Sequence, residues 1–382
     1  MTALPPAARP LARLAVGWTA LSELVPFYPL YALLFLDTGL SAADVSLLFA
    51  FWSVSAVLTE VPAGALADRW SRRGALVVGG VLEAAAFVVW TVTPSLAGFA
   101  AGFAVWGIAS ALVSGTVEAL VYDGLADVGA EAAFARVNGW MTSAELLVQV
   151  PTAAAASLLY ALGGYPLVGW VSAAVCLAWA VLALRFPEPP REPDGGSLFA
   201  TLRRGVADVV HVPVLRLTVL AVALVGGLDA VEEYFPVLAG DGGVPTVAVP
   251  VVVLGIALAG ALGAALGGRA DRLPDRALAA LLTLAGVLLG AVAVVPGPAA
   301  LAVVAVAYGL YLVVLVVAEA RLQARIESTR RTTVTSVAGL GVELGGLLVF
   351  AVWAVGGVVA VAVLVMAVVP VVAIGLRRPA LR

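Results

Sequence analysis

Glu60-Val-Pro-Ala-Gly64-Ala-Leu-Ala-Asp68-Arg69-Trp-Ser-Arg72-Arg73 is a short charged stretch pinned between two long apolar runs. A second copy, Gly267-Gly-Arg-Ala-Asp271-Arg272-Leu-Pro-Asp-Arg276, lies 203 residues further on. In that register Gly64 falls on Gly267, Asp68 on Asp271, Arg69 on Arg272 and Arg73 on Arg276. Each copy follows one apolar run and precedes another. A spacing of about half the chain predicts a duplicated helical bundle with the same charged turn at the same point of each half.

Composition names the solvent. Of 382 residues 63% are hydrophobic and 12% charged, with a mean hydropathy of +1.09. Soluble domains are nearer half apolar and a quarter charged, so the bilayer is the expected surrounding. Cys176 is the only cysteine and His211 the only histidine. A disulfide framework, a Cys/His metal cluster and His-based catalysis are therefore not expected. No metal, no cofactor, no nucleic-acid partner and no enzymatic activity is expected. The run from Leu14 to Leu36 is too long for the core of a cleaved signal peptide and reads as a first span that stays.

Runs of roughly 20 apolar residues suffice to span the hydrocarbon. Twelve are present, at about 12–36, 43–67, 74–93, 96–122, 137–160, 165–185, 214–238, 247–268, 277–295, 299–320, 333–353 and 355–376. The predicted fold class is an all-α membrane protein of twelve transmembrane helices in two six-helix pseudo-symmetric halves. The domains are 1–186, a linker at 187–212, and 213–382. The linker opens Pro187-Glu-Pro-Pro190 and continues into Ser197 to His211, where Leu198, Leu202, Val206, Val209 and Val210 recur at helical spacing. That pattern predicts a short helix on the membrane surface with Ser197 as its N-cap.

Arginine placement sets the topology. With the N-terminus in the cytoplasm, all 21 basic residues, every one an Arg, fall inside or at the inner membrane edge. The outer loops hold Asp37, Asp44 and Asp241. This obeys the positive-inside rule and predicts a multi-pass protein of the cell inner membrane with both termini cytoplasmic.

The loop after the second run resembles the signature of the major facilitator superfamily, roughly G-x-x-x-D-R-x-x-R-R, at Gly64, Asp68, Arg69, Arg72 and Arg73. The weaker repeat, the twelve runs and the central linker extend the resemblance over the whole chain. It implies a monomeric transporter of small molecules. It also implies that Gly64, Asp68, Arg69, Arg72, Arg73, Asp271, Arg272 and Arg276 form a conformational latch on the cytoplasmic side. The alternative is that these arginines only set topology. The fifth run, with Gln149-Val-Pro151-Thr-Ala, lacks the G-P-x-x-G-G-like pattern of many drug–proton antiporters in that family, and the fourth, around Trp106-Gly107, lacks their Arg.

Acids inside the apolar runs are the candidate site. A charge at the bilayer centre costs about 2.5–3.5 kcal/mol on insertion scales, so such residues are functional candidates by default. By rise per residue, Glu23 and Asp229 lie about 18 and 22 Å from the inner edge, and Glu145 and Glu343 about 12–15 Å. They come from the symmetry-related runs one, seven, five and eleven, and are expected to face one cavity for substrate and protons. Asp229, Glu232 and Glu233 are expected to share a helical face. Glu118, Asp123 and Glu319 are candidates for an inner gate, with Arg136, Arg321 and Arg325 near the first and last of them. Glu83 falls mid-span in the third run without an assigned role. The reading that follows is proton-coupled efflux of a small cationic or neutral amphipathic compound by alternating access. The alternatives are proton-coupled or facilitated uptake of a metabolite and, more remotely, a membrane enzyme or receptor.

Overall fold

The computed structural model of the protein describes residues 4–188, 213–270, 274–326 and 331–377. All regular structure among them is helical. The first half holds α1 (Arg9–Ser22), α2 (Tyr31–Asp37), α3 (Ala42–Arg69), α4 (Arg72–Val92), α5 (Leu96–Val113), α6 (Thr116–Asp127) and α7 (Phe134–Ala183). The second holds α8 (Pro213–Gly227), α9 (Phe235–Asp241), α10 (Val249–Ala270), α11 (Asp275–Ala291), α12 (Ala299–Arg325) and α13 (Arg331–Gly375). The described residues fall into two compact units, within Met1–Leu40 and Phe51–Asp194, and within Ser41–Ala50 and Gly195–Arg382. The expected surface helix at 197–211 lies outside the described residues, as do Asp271 and Arg272 and the side chain of Asp68.

Seven helical stretches among the described residues are long and apolar enough to cross a bilayer. Two of them hold two passes each. The α7 helix turns back at Gly163–Gly164 and α13 at Gly356–Gly357. In each pair the second glycine has positive φ, 63° and 56°, a conformation that only glycine adopts cheaply. The sequence therefore places the same reversal between passes five and six as between eleven and twelve.

Three expected continuous spans are interrupted. The first pass breaks between α1 and α2, at Glu23–Leu30. Pro26 and Pro29 lack the N–H that a helix needs, and the freed groups find partners nearby. The Phe27 N–H donates to Ser172 Oγ (3.1 Å), and Thr152 Oγ1 donates to the Glu23 carbonyl (3.3 Å). Both partners sit on α7. The seventh pass breaks at the matching place, where a 3₁₀ turn, Leu228–Tyr234, joins α8 to α9. Gly226 and Gly227 precede it, Pro236 opens α9, and Tyr311 of α12 donates its hydroxyl to the Val225 carbonyl (2.9 Å). The fourth pass breaks at Ser114–Gly115, where Gly115 has φ 68°.

The helix ends and contacts follow from local chemistry. Ser71 caps α4 by accepting from the Gly74 N–H (2.7 Å), so the signature stretch is the end of α3 followed by a two-residue turn, Trp70–Ser71. Small residues admit close helix contacts in membranes. A Cβ on Gly227 would stand 2.4 Å from Gly345 Cα, and one on Gly263 would stand 2.0 Å from the Gly309 carbonyl oxygen. Gly64 of the signature stretch has nothing within 4 Å of that position. Its counterpart Gly267 does meet Val316, at 2.8 Å.

Gly227→Ala is expected to lower the melting temperature of the purified protein, because overpacking against backbone costs about 1–3 kcal/mol. Gly255→Ala, which meets nothing within 4 Å inside α10, is expected not to lower it, since alanine is the better helix former. Thermal unfolding in detergent, followed by size-exclusion chromatography, compares the two; equal melting would contradict the tight contact.

Candidate functional site

The break in the first pass opens a cavity of about 330 Å³ within the first unit. Four carboxylates line it, each placed by a different element. Glu23 caps the C-terminal end of α1, Glu83 projects from α4, Glu118 stands in the first turn of α6, and Glu145 comes from α7. Glu118 is at a helix N-terminus, where a carboxylate is favoured. The residues lining this cavity include no arginine.

Aromatic side chains make the rest of the wall. Tyr28 stacks on Trp106, with ring centroids 5.6 Å apart and planes 7° apart, and Trp18 meets Trp179 edge-on at 5.3 Å. The Tyr28 hydroxyl donates to Glu83 Oε1 (2.8 Å). Glu83 is only 7% exposed, so this bond satisfies a buried acceptor. The sequence left Glu83 without a role, and the structure makes it a wall of the cavity. The pointer in the sequence was Tyr28, a phenol in a proline-broken stretch that could reach it.

The second unit carries its own acid cluster at the break in the seventh pass. Tyr308 of α12 places its hydroxyl 3.1 Å from Asp229 Oδ1 and 3.3 Å from Glu232 Oε2. In a 3₁₀ turn residues three apart eclipse, which is why Asp229 and Glu232 meet one hydroxyl. The shared α-helical face expected for Asp229, Glu232 and Glu233 gives way to this tighter geometry. Glu343 and Glu319 are exposed on α13 and α12. Tyr308 and Tyr311, 8% and 6% exposed, were not singled out from sequence. Their three-residue spacing in the tenth run was the available signal.

Ion pairs hold the charged turns. Arg72 Nη1 meets Asp123 Oδ2 at 2.6 Å, linking the start of α4 to α6. Glu188 accepts from Ser71 Oγ (2.7 Å) and lies 3.9 Å from Arg73 Nε. In the second unit Arg321 Nη1 pairs with Asp275 Oδ1 (2.7 Å) and donates to the Leu376 carbonyl (2.6 Å). Arg325 donates to Thr218 Oγ1 and to the carbonyls of Gly375 and Arg377. Arg321 and Arg325 thus serve Asp275 and the end of α13, and Glu118, expected beside Arg136, faces the cavity. Among the gate candidates Asp123 forms an ion pair, with Arg72.

The Major Facilitator Superfamily model matches residues 14–350. No curated protein matches the sequence. Among solved structures the chain is similar to the nucleoside transporter NupG (TM-score 0.71, 13% identity, covering 97% of this chain and 98% of that one). It is also similar to the POT family transporter PepTSo (0.70, 12%, 97% of each chain) and to a D-xylose-proton symporter (0.69, 14%, 95% of each). At these identities the likeness is one of fold.

Tyr28→Phe removes the donor to Glu83 Oε1 and is expected to destabilise the protein by about 1–3 kcal/mol, the cost of stranding a buried polar group. Glu83→Leu introduced with it removes the stranded carboxylate and is expected to recover part of the loss. Thermal unfolding of the single and double variants in detergent checks this; a double variant less stable than Tyr28→Phe alone would contradict it.

Proposed function

We infer the function of this chain from its family, for it belongs to the major facilitator superfamily, and we propose that it exports a small organic compound in exchange for protons. The compound is cationic or neutral and amphipathic, and transport proceeds by alternating access across the cell inner membrane. The protein acts as a monomer with both termini in the cytoplasm. The observation that carries this reading is the cavity walled by Glu23, Glu83, Glu118 and Glu145 and by aromatic rings, with no arginine among its lining residues. Anionic substrates are poorly matched to such a wall, and carboxylates are the groups that take up and release protons. Asp229, Glu232 and Glu145 join Glu23 as proton-coupling candidates, with Glu233 and Glu343 beside them.

Gly64, Asp68, Arg69, Arg72, Arg73, Asp271, Arg272 and Arg276 act as the latch that holds one conformation on the cytoplasmic side. The 2.6 Å pair between Arg72 and Asp123 supports this role. It ties the turn after pass two to the end of pass four.

Two experiments test the reading. The protein is reconstituted in liposomes with a pH-sensitive dye inside, and cationic and neutral compounds are added to wild type, Glu23→Gln and Asp229→Asn. Compound-dependent proton movement is expected in wild type and lost in both variants, and its direction separates export from uptake. Flux without proton movement, unchanged in the variants, would reduce both acids to packing residues. For the latch, Arg72→Asp is expected to slow transport severalfold and Arg72→Asp with Asp123→Arg to recover most of it. A swap no better than the single change would sink the paired role.

A further inference from the structure

The cavity of the first unit contains polar atoms that no described residue satisfies. Thr19 lines it and is 9% exposed, yet its hydroxyl has no hydrogen-bond partner among the described residues. Glu118 lines it as well, and its Oε2 is buried and likewise without a partner. Buried polar groups in folded proteins are almost always paired, with protein, water or ligand. Protonation does not relieve Glu118, because a carboxyl O–H at that oxygen would itself need an acceptor. A ligand that takes the place of water in this cavity must therefore bring N–H or O–H donors to these oxygens.

We propose that this cavity binds a compact protonated amine, a primary or secondary ammonium carried on a small aromatic body. This assignment rests on the transport reading above and narrows its substrate to one chemical class. The ammonium supplies up to three N–H donors for Glu118 Oε2 and the Thr19 hydroxyl, and its charge is matched by Glu23 and Glu145. The aromatic body lies against the Tyr28–Trp106 wall, which also attracts cations. A cavity of about 330 Å³ is at the small end of ligand pockets, so the body is one or two rings. A quaternary ammonium has the charge without the N–H groups. It would leave Glu118 Oε2 as unsatisfied as before. A neutral alcohol of the same shape has a donor but no charge.

The distinction is measurable without transport. Purified protein in detergent is titrated calorimetrically with 2-phenylethylamine, tryptamine, the N,N,N-trimethyl derivative of each, and 2-phenylethanol. At least one primary amine is expected to bind about tenfold or more tighter than its quaternary derivative and than the alcohol, the loss that follows from leaving a buried acceptor unpaired. Glu118→Gln, nearly isosteric, is expected to weaken amine binding and erase the preference over the quaternary compound. Thr19→Val is expected to weaken it less. Melting temperatures near that of wild type establish that both variants fold; a Glu118→Gln protein that does not fold is replaced by Glu118→Asp, which withdraws the carboxylate by one methylene and is expected to weaken the amine in the same way.

Equal binding of amine and quaternary compound overturns the proposal, as does amine binding unchanged in the Glu118 variant, or no binding by any amine. Because no gradient is involved, the two readings fail separately. Proton-coupled transport of compounds that bind with no amine preference would uphold the transporter and reject the amine. Selective amine binding without proton movement would do the reverse.

Discussion

A backbone group that gives up its helical partner inside a bilayer has no water to turn to. The structure depends on how that constraint is met at the first and seventh passes. Each is broken near its middle, and each break is braced by side chains from other passes of the same unit. Ser172 and Thr152 hold the first break through the Phe27 N–H and the Glu23 carbonyl. Tyr311 holds the seventh through the Val225 carbonyl. The acids sit at these breaks because non-helical backbone makes room for them, and the bracing residues fix where they point.

The two units reach similar folds with different packing materials. The first is filled with rings: Trp18, Trp90, Trp179, Phe27, Phe35, Phe87, Phe99 and Phe103 are each below 2% exposed or nearly so. Trp90 alone makes edge-on contacts with Phe35, Phe103 and Trp106. The second relies on close backbone approach, with Gly227 against Gly345 and Gly263 against Gly309. Large rings leave irregular gaps between helices, and the cavity with its four carboxylates lies among them. Backbone-to-backbone packing leaves less space, and the pocket beside Leu228, Phe235 and Tyr308 is apolar and about 30 Å³.

Much of the architecture was legible in the sequence. The first charged turn and the apolar runs have their counterparts in the helices; the reversal at Gly163–Gly164 falls between the fifth and sixth runs, and that at Gly356–Gly357 falls just inside the start of the twelfth. The breaks were not legible, although Pro26 and Pro29 were in view, because membrane helices tolerate proline whenever neighbours satisfy the freed groups. Ser172 lies 145 residues from the Phe27 amide it serves, and no local pattern reveals such a partner. Glu83 was missed for the same reason, since its value depends on Tyr28, 55 residues away. Gly64 makes the complementary point: a glycine at a motif position is not a contact until something stands against it.

The two ion pairs at the charged turns carry one more consequence. Arg72 and Asp275 occupy the same register, 203 residues apart, at the starts of α4 and α11. Each pairs with the opposite charge near the end of the pass that follows the next turn, Asp123 in one unit and Arg321 in the other. The pair is kept and its polarity is reversed. A chain built from two related halves risks docking a helix of one half into the matching slot of the other as it emerges into the membrane. Here such an exchange would set Arg72 against Arg321 and Asp275 against Asp123. Like charges brought together are a repulsive mark against the wrong partner. The reversed polarity therefore works as an address label, distinguishing halves that their apolar surfaces alone would leave interchangeable.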